Sequence, residues 1–200
     1  MVFFVNFATN CETMFGFLKN IRRRKRLRAL QIADVQAFPR IEELKNVAFV
    51  WRVSSPEEVA QAGDVVEFFK SAGLKAKGVV IEYGKAFKNT AAREEFADFC
   101  QENNMIFVPK KQVKWYGFPK GGFLNKLNGE HIYDMTISIC PESDFSVEYL
   151  AAGIRSNFVT GMCEPQWCNY SFILDRGQAN PSAAEYLAAL FEYMRRMRQE

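Results

Sequence analysis

Apolar and polar residues follow two alternating periods along most of the chain, one typical of strands and one typical of helices. Continuous apolar runs of strand length lie at 46–53 (NVAFVWRV), 77–83 (KGVVIEY) and 105–109 (MIFVP), as expected for strands covered on both faces. Between these runs, apolar residues recur at helical spacing in 56–72 and 90–104. This order predicts parallel strands joined by helical crossovers.

The second half of the chain continues the alternation. Residues 131–161 predict strand, turn, helix and strand, which is a parallel βαβ unit. A short helix at 123–129 precedes this unit, and a strand at 170–175 follows it. Asn180 and Pro181 then begin a final amphipathic helix. The predicted fold is α/β: a single Rossmann-like three-layer domain with a mainly parallel sheet, preceded by a basic N-terminal helix.

Local signals mark the ends of the first crossover helix and of a polar strand. Ser55 with Glu58 three residues later reads as a capping box, and Gly73 predicts the C-terminal end of that helix. Alternation in 132–139 places Asp134, Thr136 and Ser138 on one strand face, which predicts a cleft lining, a strand near the sheet edge, or small polar residues satisfied by backbone. Asp134 lies early in the strand and is predicted to be structural.

Three segments are predicted. Residues 46–200 form the α/β domain, and residues 14–45 form the basic helix and a linker that contains Pro39. Residues 1–13 precede the regular pattern, and three interpretations stay open: a short strand, a disordered tail, or sequence that is not translated because Met14 is the true start.

Charge is concentrated at the N-terminus. The chain has a net charge of +3, but residues 1–33 hold seven basic residues and one acidic residue, which leaves 19 basic and 22 acidic residues for the rest. The body is therefore mildly acidic, and the basic excess lies in one predicted helix. Its cations are predicted to contact a surface: Lys19, Arg22, Arg23, Arg24, Lys25, Arg26 and Arg28.

The predicted basic helix begins with an apolar stripe. Met14, Phe17, Leu18 and Ile21 share one face, which Lys25 interrupts. The helix could therefore lie on an anionic membrane surface, bind nucleic acid through phosphates, or be a solvated or docked arm. Few aromatic or base-reading side chains are interleaved, which weakens the nucleic-acid interpretation.

Composition limits the protein class and compartment. No run of about 18 apolar residues exists, which argues against a membrane span. An odd number of cysteines without a secretory signal predicts reduced thiols and a cytoplasmic protein, peripheral at the inner membrane face if the basic helix binds lipid. The five cysteines are Cys11, Cys100, Cys140, Cys163 and Cys168.

The turn that ends the strand of the βαβ unit is one candidate ligand site. Glu142, Ser143 and Asp144 lie at the carboxyl end of a predicted parallel strand, where open α/β sheets bind ligands. Two acids and no glycine disfavour a phosphate, so the turn would suit a cation or sugar hydroxyls. In the alternative interpretation, Ser143 or Asp144 caps the following helix.

The aromatic stretch 115–122 (WYGFPKGG) is the second candidate. A glycine pair before a helix and nearby lysines could hold a phosphate while an aromatic ring stacks on a base or sugar, although neither nucleotide-binding glycine motif is matched. The alternative is an aromatic loop that only packs. The residues assigned to this site are Trp115, Tyr116, Lys120, Gly121 and Gly122.

A metal site is not predicted. Cys140, Cys163, Cys168 and His131 have poor spacing for a closed zinc site. His131 is the one histidine in the chain, and its place at the mouth of a strand predicts a boundary residue rather than a base. No cofactor is predicted.

Several segments resemble a known family. FLKNIRRRKRLRAL, KWYGFPKGG and YDMTISIC…SVEYLAAGIRSNFVTG resemble a family of uncharacterised bacterial proteins carrying a domain of unknown function. That resemblance implies a small Rossmann-like domain in a cytoplasmic bacterial protein and supplies no functional residues. The last block is also similar, more faintly, to the N-terminal half of heptosyltransferase-like glycosyltransferases, which implies two Rossmann-like halves; this chain has room for one.

Together these features predict a non-enzymatic α/β binding or adaptor module whose basic helix contacts a membrane surface or a protein partner. The alternative is a nucleotide- or sugar-phosphate-binding protein related to one half of a glycosyltransferase, with its site formed by 115–122 and 140–144. The oligomeric state stays open.

Overall fold

The computed structural model describes residues 3–30, 38–129, 132–175, 177 and 181–197, with side chains from Phe15 onward. Six strands form one sheet. They are β1 (Asn46–Val53), β2 (Lys75–Glu82), β3 (Met105–Val108), β4 (Met135–Ile139), β5 (Val159–Gly161) and β6 (Phe172–Ile173).

Seven α-helices lie in the described part of the chain. They are α1 (Phe3–Leu27), α2 (Pro56–Ala60), α3 (Ala62–Ser71), α4 (Thr90–Glu102), α5 (Phe123–Asn128), α6 (Phe145–Gly153) and α7 (Ala183–Arg196). Short 3-10 turns at Ile41–Glu43 and Lys110–Gln112 accompany them.

The strand order is β3-β2-β1-β4-β5-β6, and every neighbouring pair is parallel. The order reverses between β1 and β4, as in Rossmann-like sheets. The predicted fold class is therefore confirmed.

Helices cover both faces of the sheet. One buried core joins Phe69 of α3, Phe96 of α4 and Leu187 of α7 to β1 and β4. The other core packs α5 and α6 against the opposite face, through Leu127 and Leu150. With α1 lying beside α6, the molecule has the three layers that the strand and helix alternation predicts.

Three helix boundaries differ from the sequence prediction. The helix α1 already begins at Phe3, so it includes most of the segment set apart as residues 1–13. The first crossover divides at Gln61 into α2 and α3. The capping box of α7 is formed by Ser182 and Glu185, whereas the predicted cap Asn180 lies outside the described residues.

The polar face of β4 lies in the interior rather than in a cleft or at an edge. β4 lies between β1 and β5, and Thr136 and Ser138 are both buried. Asp134 is structural, as predicted. Its Oδ2 accepts hydrogen bonds of 2.8 Å from the backbone N–H groups of Lys45 and Asn46. These bonds fix the start of β1 beside the start of β4.

Candidate functional site

Arg23 joins the basic helix α1 to the body of the domain. Its Nε–H donates a 2.9 Å hydrogen bond to the carbonyl oxygen of Tyr116. Its guanidinium carbon lies 4.9 Å from the ring centroid of Phe145 and 4.8 Å from that of Trp167. Partial burial lowers the pKa of Arg23, and nearby carboxylates, first that of Asp144, act in the opposite direction. The group is therefore a positioned cation, not a free one.

Two further arginines of α1 lie over aromatic rings of the loop at 115–118. The guanidinium carbon of Arg22 is 5.2 Å from the ring centroid of Trp115, and that of Arg26 is 4.3 Å from the ring of Phe118. Phe15 extends the contact, with its ring centroid 4.8 Å from that of Trp115. Cation–aromatic contacts thus replace the usual apolar seam between a helix and its domain.

The docked positions recur every three or four residues along α1, so they form one helix face. Lys19 belongs to this face: burial and the neighbouring charge of Arg23 lower its pKa, while Asp144 acts to raise it. The docked-arm interpretation therefore describes this side of the helix.

The opposite face of α1 carries exposed apolar side chains. Phe17 is 65% exposed, Leu18 45% and Ile21 47%. The predicted apolar stripe is thus real, but it points away from the domain. We call this surface the outer face of α1; its other members are exposed cations one turn further on, namely Arg24, Lys25 and Arg28.

The acidic turn after β4 serves first as a helix cap. Oδ1 of Asp144 accepts from the backbone N–H groups of Ser146 and Val147 at 2.8 and 3.2 Å. The predicted N-cap role of Asp144 is confirmed. The hydroxyl of Ser143 donates to the carboxylate of Glu148 on the first turns of α6. Both side chains are partly buried and hydrogen-bonded within this part of the chain, and a ligand role for them stays a prediction.

Glu148 is a buried carboxylate that sequence reasoning did not single out as a site residue. It is 2% exposed, and it accepts backbone N–H bonds from Gln166 at 3.2 Å and Trp167 at 2.6 Å, besides the bond from Ser143. These partners lie up to 19 residues away in a loop without a regular pattern, so no local signal identifies them. Glu148 therefore holds the loop that contains Gln166 and Trp167 in place, with the ring of Trp167 next to the guanidinium of Arg23.

Arg52 is the second residue missed by the sequence reasoning. Arg52 is the penultimate residue of β1 and is only 7% exposed. Its Nη2 is hydrogen-bonded to Oε1 of Glu142, and its Nη1 lies 3.7 Å from Oδ2 of Asp144. Its guanidinium carbon also lies 4.7 Å from the ring centroid of Tyr83. A lone arginine in the otherwise apolar run NVAFVWRV was the available signal, because buried cations require partners.

The aromatic loop 115–122 contacts α6, the helix that follows the acidic turn 140–144. The hydroxyl of Ser146 donates to the carbonyl oxygen of Gly117 over 2.7 Å, and the rings of Phe118 and Tyr149 are 5.1 Å apart. The contact therefore joins the middle of the aromatic loop to α6. Positive φ at Gly117 (84°) allows this close approach.

The glycine pair has a structural role that fits poorly with a phosphate site. Gly122 precedes α5 with a φ of 65°, and α5 has only six residues. So short a helix provides little dipole or donor array for an anion. Lys120 is exposed nearby. No hydrogen bond among the described residues links Lys120, Gly121 or Gly122 to the acidic turn.

The described cysteines are poor nucleophiles. Burial raises the pKa of Cys140 to about 12, of Cys168 to about 12 and of Cys163 to about 11. Thiols rather than thiolates therefore prevail at neutral pH. Among the described residues no group of three or more His, Cys, Asp or Glu side chains could hold a metal ion, and His131 lies outside them.

The described helices include none that is long and apolar enough to cross a bilayer.

No protein-family model and no curated protein matches the chain. The resemblance to the family of uncharacterised bacterial proteins therefore stays a prediction.

Among solved structures, the chain is similar to the glycosyl transferase family 9 protein from Veillonella parvula DSM 2008, with 15% sequence identity and a TM-score of 0.49. The match covers 75% of this chain and 41% of that protein, so the chain spans about two fifths of its length. That protein belongs to the enzyme class of the fainter sequence resemblance, but a likeness at this level carries no argument about activity.

Proposed function

We propose that the protein is a non-enzymatic α/β binding module that attaches to an anionic membrane surface through the outer face of α1. One observation carries the proposal: three large apolar side chains of α1 are exposed, Phe17 to 65%, Leu18 to 45% and Ile21 to 47%, and exposed cations follow them. Apolar side chains entering the lipid headgroup boundary beside Lys and Arg are typical of interfacial helices.

The docking of α1 supports this function. Arg22, Arg23 and Arg26 engage aromatic rings of the body, so the helix is fixed in orientation before any membrane contact. A fixed helix loses little conformational freedom on binding. The membrane would meet a prepared surface, and the domain would lie on it in one orientation.

Charge supports a lipid surface over a nucleic acid or a neutral protein. The outer cations Arg24, Lys25 and Arg28 stand next to apolar side chains, and each cation near an anionic bilayer contributes about 1 kcal/mol. A nucleic-acid site would leave the three apolar groups in water. A cytoplasmic location at the inner membrane face is part of the proposal.

The acids of the candidate site support a binding rather than a catalytic role. Asp144 caps α6, Glu142 pairs with Arg52, and Glu148 holds a loop. Each carboxylate thus has a structural partner, which leaves none of the three poised as a general acid or base.

Vesicle co-sedimentation tests the proposal. Full-length protein is mixed with phosphatidylcholine vesicles that either contain or lack phosphatidylglycerol, and binding is expected only to the anionic vesicles. Exchanging Arg24, Lys25 and Arg28 for Glu should weaken binding by at least about 100-fold. The double variant Phe17→Ser/Ile21→Ser should weaken binding too, while leaving net charge unchanged.

A matched control reverses three exposed lysines of the body, Lys75, Lys85 and Lys111. The net charge changes equally, so binding that depends on α1 should survive this change. Equal loss in both triple variants would show that only total charge matters. No binding of the unmodified protein to anionic vesicles would reject the membrane function and leave a protein partner for the outer face.

A further inference from the structure

A groove runs between α3 and α4, on the face of the sheet opposite to α6 and the docked α1. Its wider part has a volume of about 390 Å³, and its apolar lining includes Val59, Phe87 and Phe99. One turn further along both helices, a second hollow of about 260 Å³ continues the groove at Val66 and Glu102. The wider part has more than twice the volume of a roughly 150 Å³ cavity that holds benzene, so two side chains of that size can enter it.

The helices that border this groove are strongly acidic. Together α2, α3 and α4 carry eight acidic and two basic residues. Lys70 and Lys88 line the groove and offset only part of this charge. Three exposed acids border the groove and form no ion pair within the described part of the chain, namely Glu67, Glu95 and Glu102. An apolar groove with an acidic border therefore faces solvent.

The outer face of α1 has the complementary composition. Its apolar side chains Phe17, Leu18 and Ile21 are exposed, and the cations of the next turns are exposed as well. The contacts of Arg23 with Tyr116 and Phe145 hold α1 on one side of the sheet, whereas the groove lies on the other. One copy therefore cannot place its own outer face in its own groove, and the outer face that fits belongs to a second copy.

We propose that the outer face of α1 in one copy binds the groove between α3 and α4 in a second copy. The apolar stripe enters the groove, and the cations of α1 face its acidic border. Because the two surfaces differ and lie on opposite sides of the sheet, the contact is head-to-tail and leaves one free surface of each kind. The protein should therefore form a series of oligomers that grows with concentration, rather than one closed dimer.

This inference goes beyond the proposed function, because the association needs no lipid. It uses the same face of α1, so anionic vesicles should compete with it by mass action. Failure of the protein to bind vesicles would leave the association unchanged, and a monomeric protein could still bind vesicles. The two proposals can therefore fail separately.

Sedimentation equilibrium of the full chain, without lipid, tests the association. A small surface contact binds weakly, so the average mass should rise between about 1 μM and about 1 mM protein, and high salt should reduce the rise. Two triple variants should each weaken the association at least about ten-fold: Arg24→Glu/Lys25→Glu/Arg28→Glu on α1 and Glu67→Lys/Glu95→Lys/Glu102→Lys at the groove.

Mixing the two triple variants separates a lost contact from a damaged fold. Each variant alone opposes like charges, whereas in the mixture every α1 finds a groove of opposite charge. The mixture should therefore regain the increase in mass, which misfolded variants could not do. Reversal of Lys75, Lys85 and Lys111 changes the net charge as much as the α1 variant does, and this control should associate like the unmodified protein.

Gly63→Phe tests the apolar part of the contact without changing charge. Gly63 lines the groove, and a Cβ there would meet no atom within 4 Å. A phenylalanine should fill part of the groove and weaken the association at least about ten-fold, whereas Gly63→Ala should largely preserve it. An unmodified protein that stays monomeric up to about 1 mM would overturn the proposal. So would equal association of all the variants, or a mixture that does not regain mass.

Discussion

The Nε–H of Arg23 and the carbonyl oxygen of Tyr116 are joined by a 2.9 Å hydrogen bond that connects α1 to the aromatic loop. This bond and the two rings around the guanidinium should hold α1 on the domain. Arg23→Met should therefore lower the free energy of unfolding by about 2 kcal/mol, from one charged hydrogen bond and partly exposed cation–aromatic contacts. Chemical denaturation measures the change.

Arg24→Met is the matched control, because Arg24 is exposed on the outer face. It should change stability by no more than about 0.5 kcal/mol. Arg23→Met should also make α1 itself more sensitive to trypsin, since an undocked helix exposes its backbone. Equal stability and equal cleavage in the two variants would show that Arg23 does not fasten α1.

Packing of the central sheet gives a second prediction. Gly78 on β2 faces the ring of Phe49, and a Cβ at position 78 would lie 2.3 Å from the Cζ atom of Phe49. Gly78→Ala should therefore cost about 1–3 kcal/mol through overpacking. Adding Phe49→Leu should recover part of that loss, because the smaller side chain vacates the space. Thermal unfolding of the single and double variants measures the coupling.

Gly63→Ala provides the opposite control. Gly63 lies within α3, and a Cβ there would meet no atom within 4 Å. Alanine should stabilise the helix by about 0.5–1 kcal/mol. If both glycine variants changed stability in the same direction, the close contact between Gly78 and Phe49 would not be what decides the result.

Periodicity was sufficient for the fold but not for the site. The apolar run of β1 and the capping signal at Ser55 are local, so strand and helix positions could be predicted from neighbouring residues. The pairing of Arg23 with Tyr116 joins residues 93 positions apart, and that of Arg52 with Glu142 spans 90. Contacts of this kind depend on the sheet order, which periodicity does not encode.

The outer face of α1 illustrates the same limit. Helical spacing correctly grouped Phe17, Leu18 and Ile21, but spacing does not tell whether an apolar stripe faces the domain or the solvent. The direction follows from the opposite side of the helix, where arginines and the ring of Trp115 make the docking contact. A basic helix face that docks on aromatic rings reverses the usual expectation that the apolar face is buried.

The buried carboxylate of Glu148 gives a third prediction. Glu148→Gln keeps its shape but replaces one acceptor oxygen by a donor amide that faces the N–H groups of Gln166 and Trp167. The loss of charge-assisted bonds should destabilise the fold by about 3 kcal/mol. Glu164→Gln, at an exposed position in the same loop, should be nearly neutral. Equal unfolding midpoints in denaturant would contradict the anchoring role of Glu148.

Stability at alkaline pH gives the fourth prediction, through Cys100 of α4. Burial raises the pKa of this thiol from 9.0 to about 12, so the folded state keeps its proton where the unfolded state has lost it. Protonation therefore adds stability that is fully present below pH 9 and is lost as pH rises toward 12. From pH 9 to 11 the loss should be on the order of 2 kcal/mol.

Cys100→Ala should have a lower midpoint at pH 8, but a smaller further decrease from pH 9 to 11. Thermal unfolding of both proteins across that range measures the difference, and parallel pH profiles would show that the Cys100 thiol titrates equally in the folded and unfolded states.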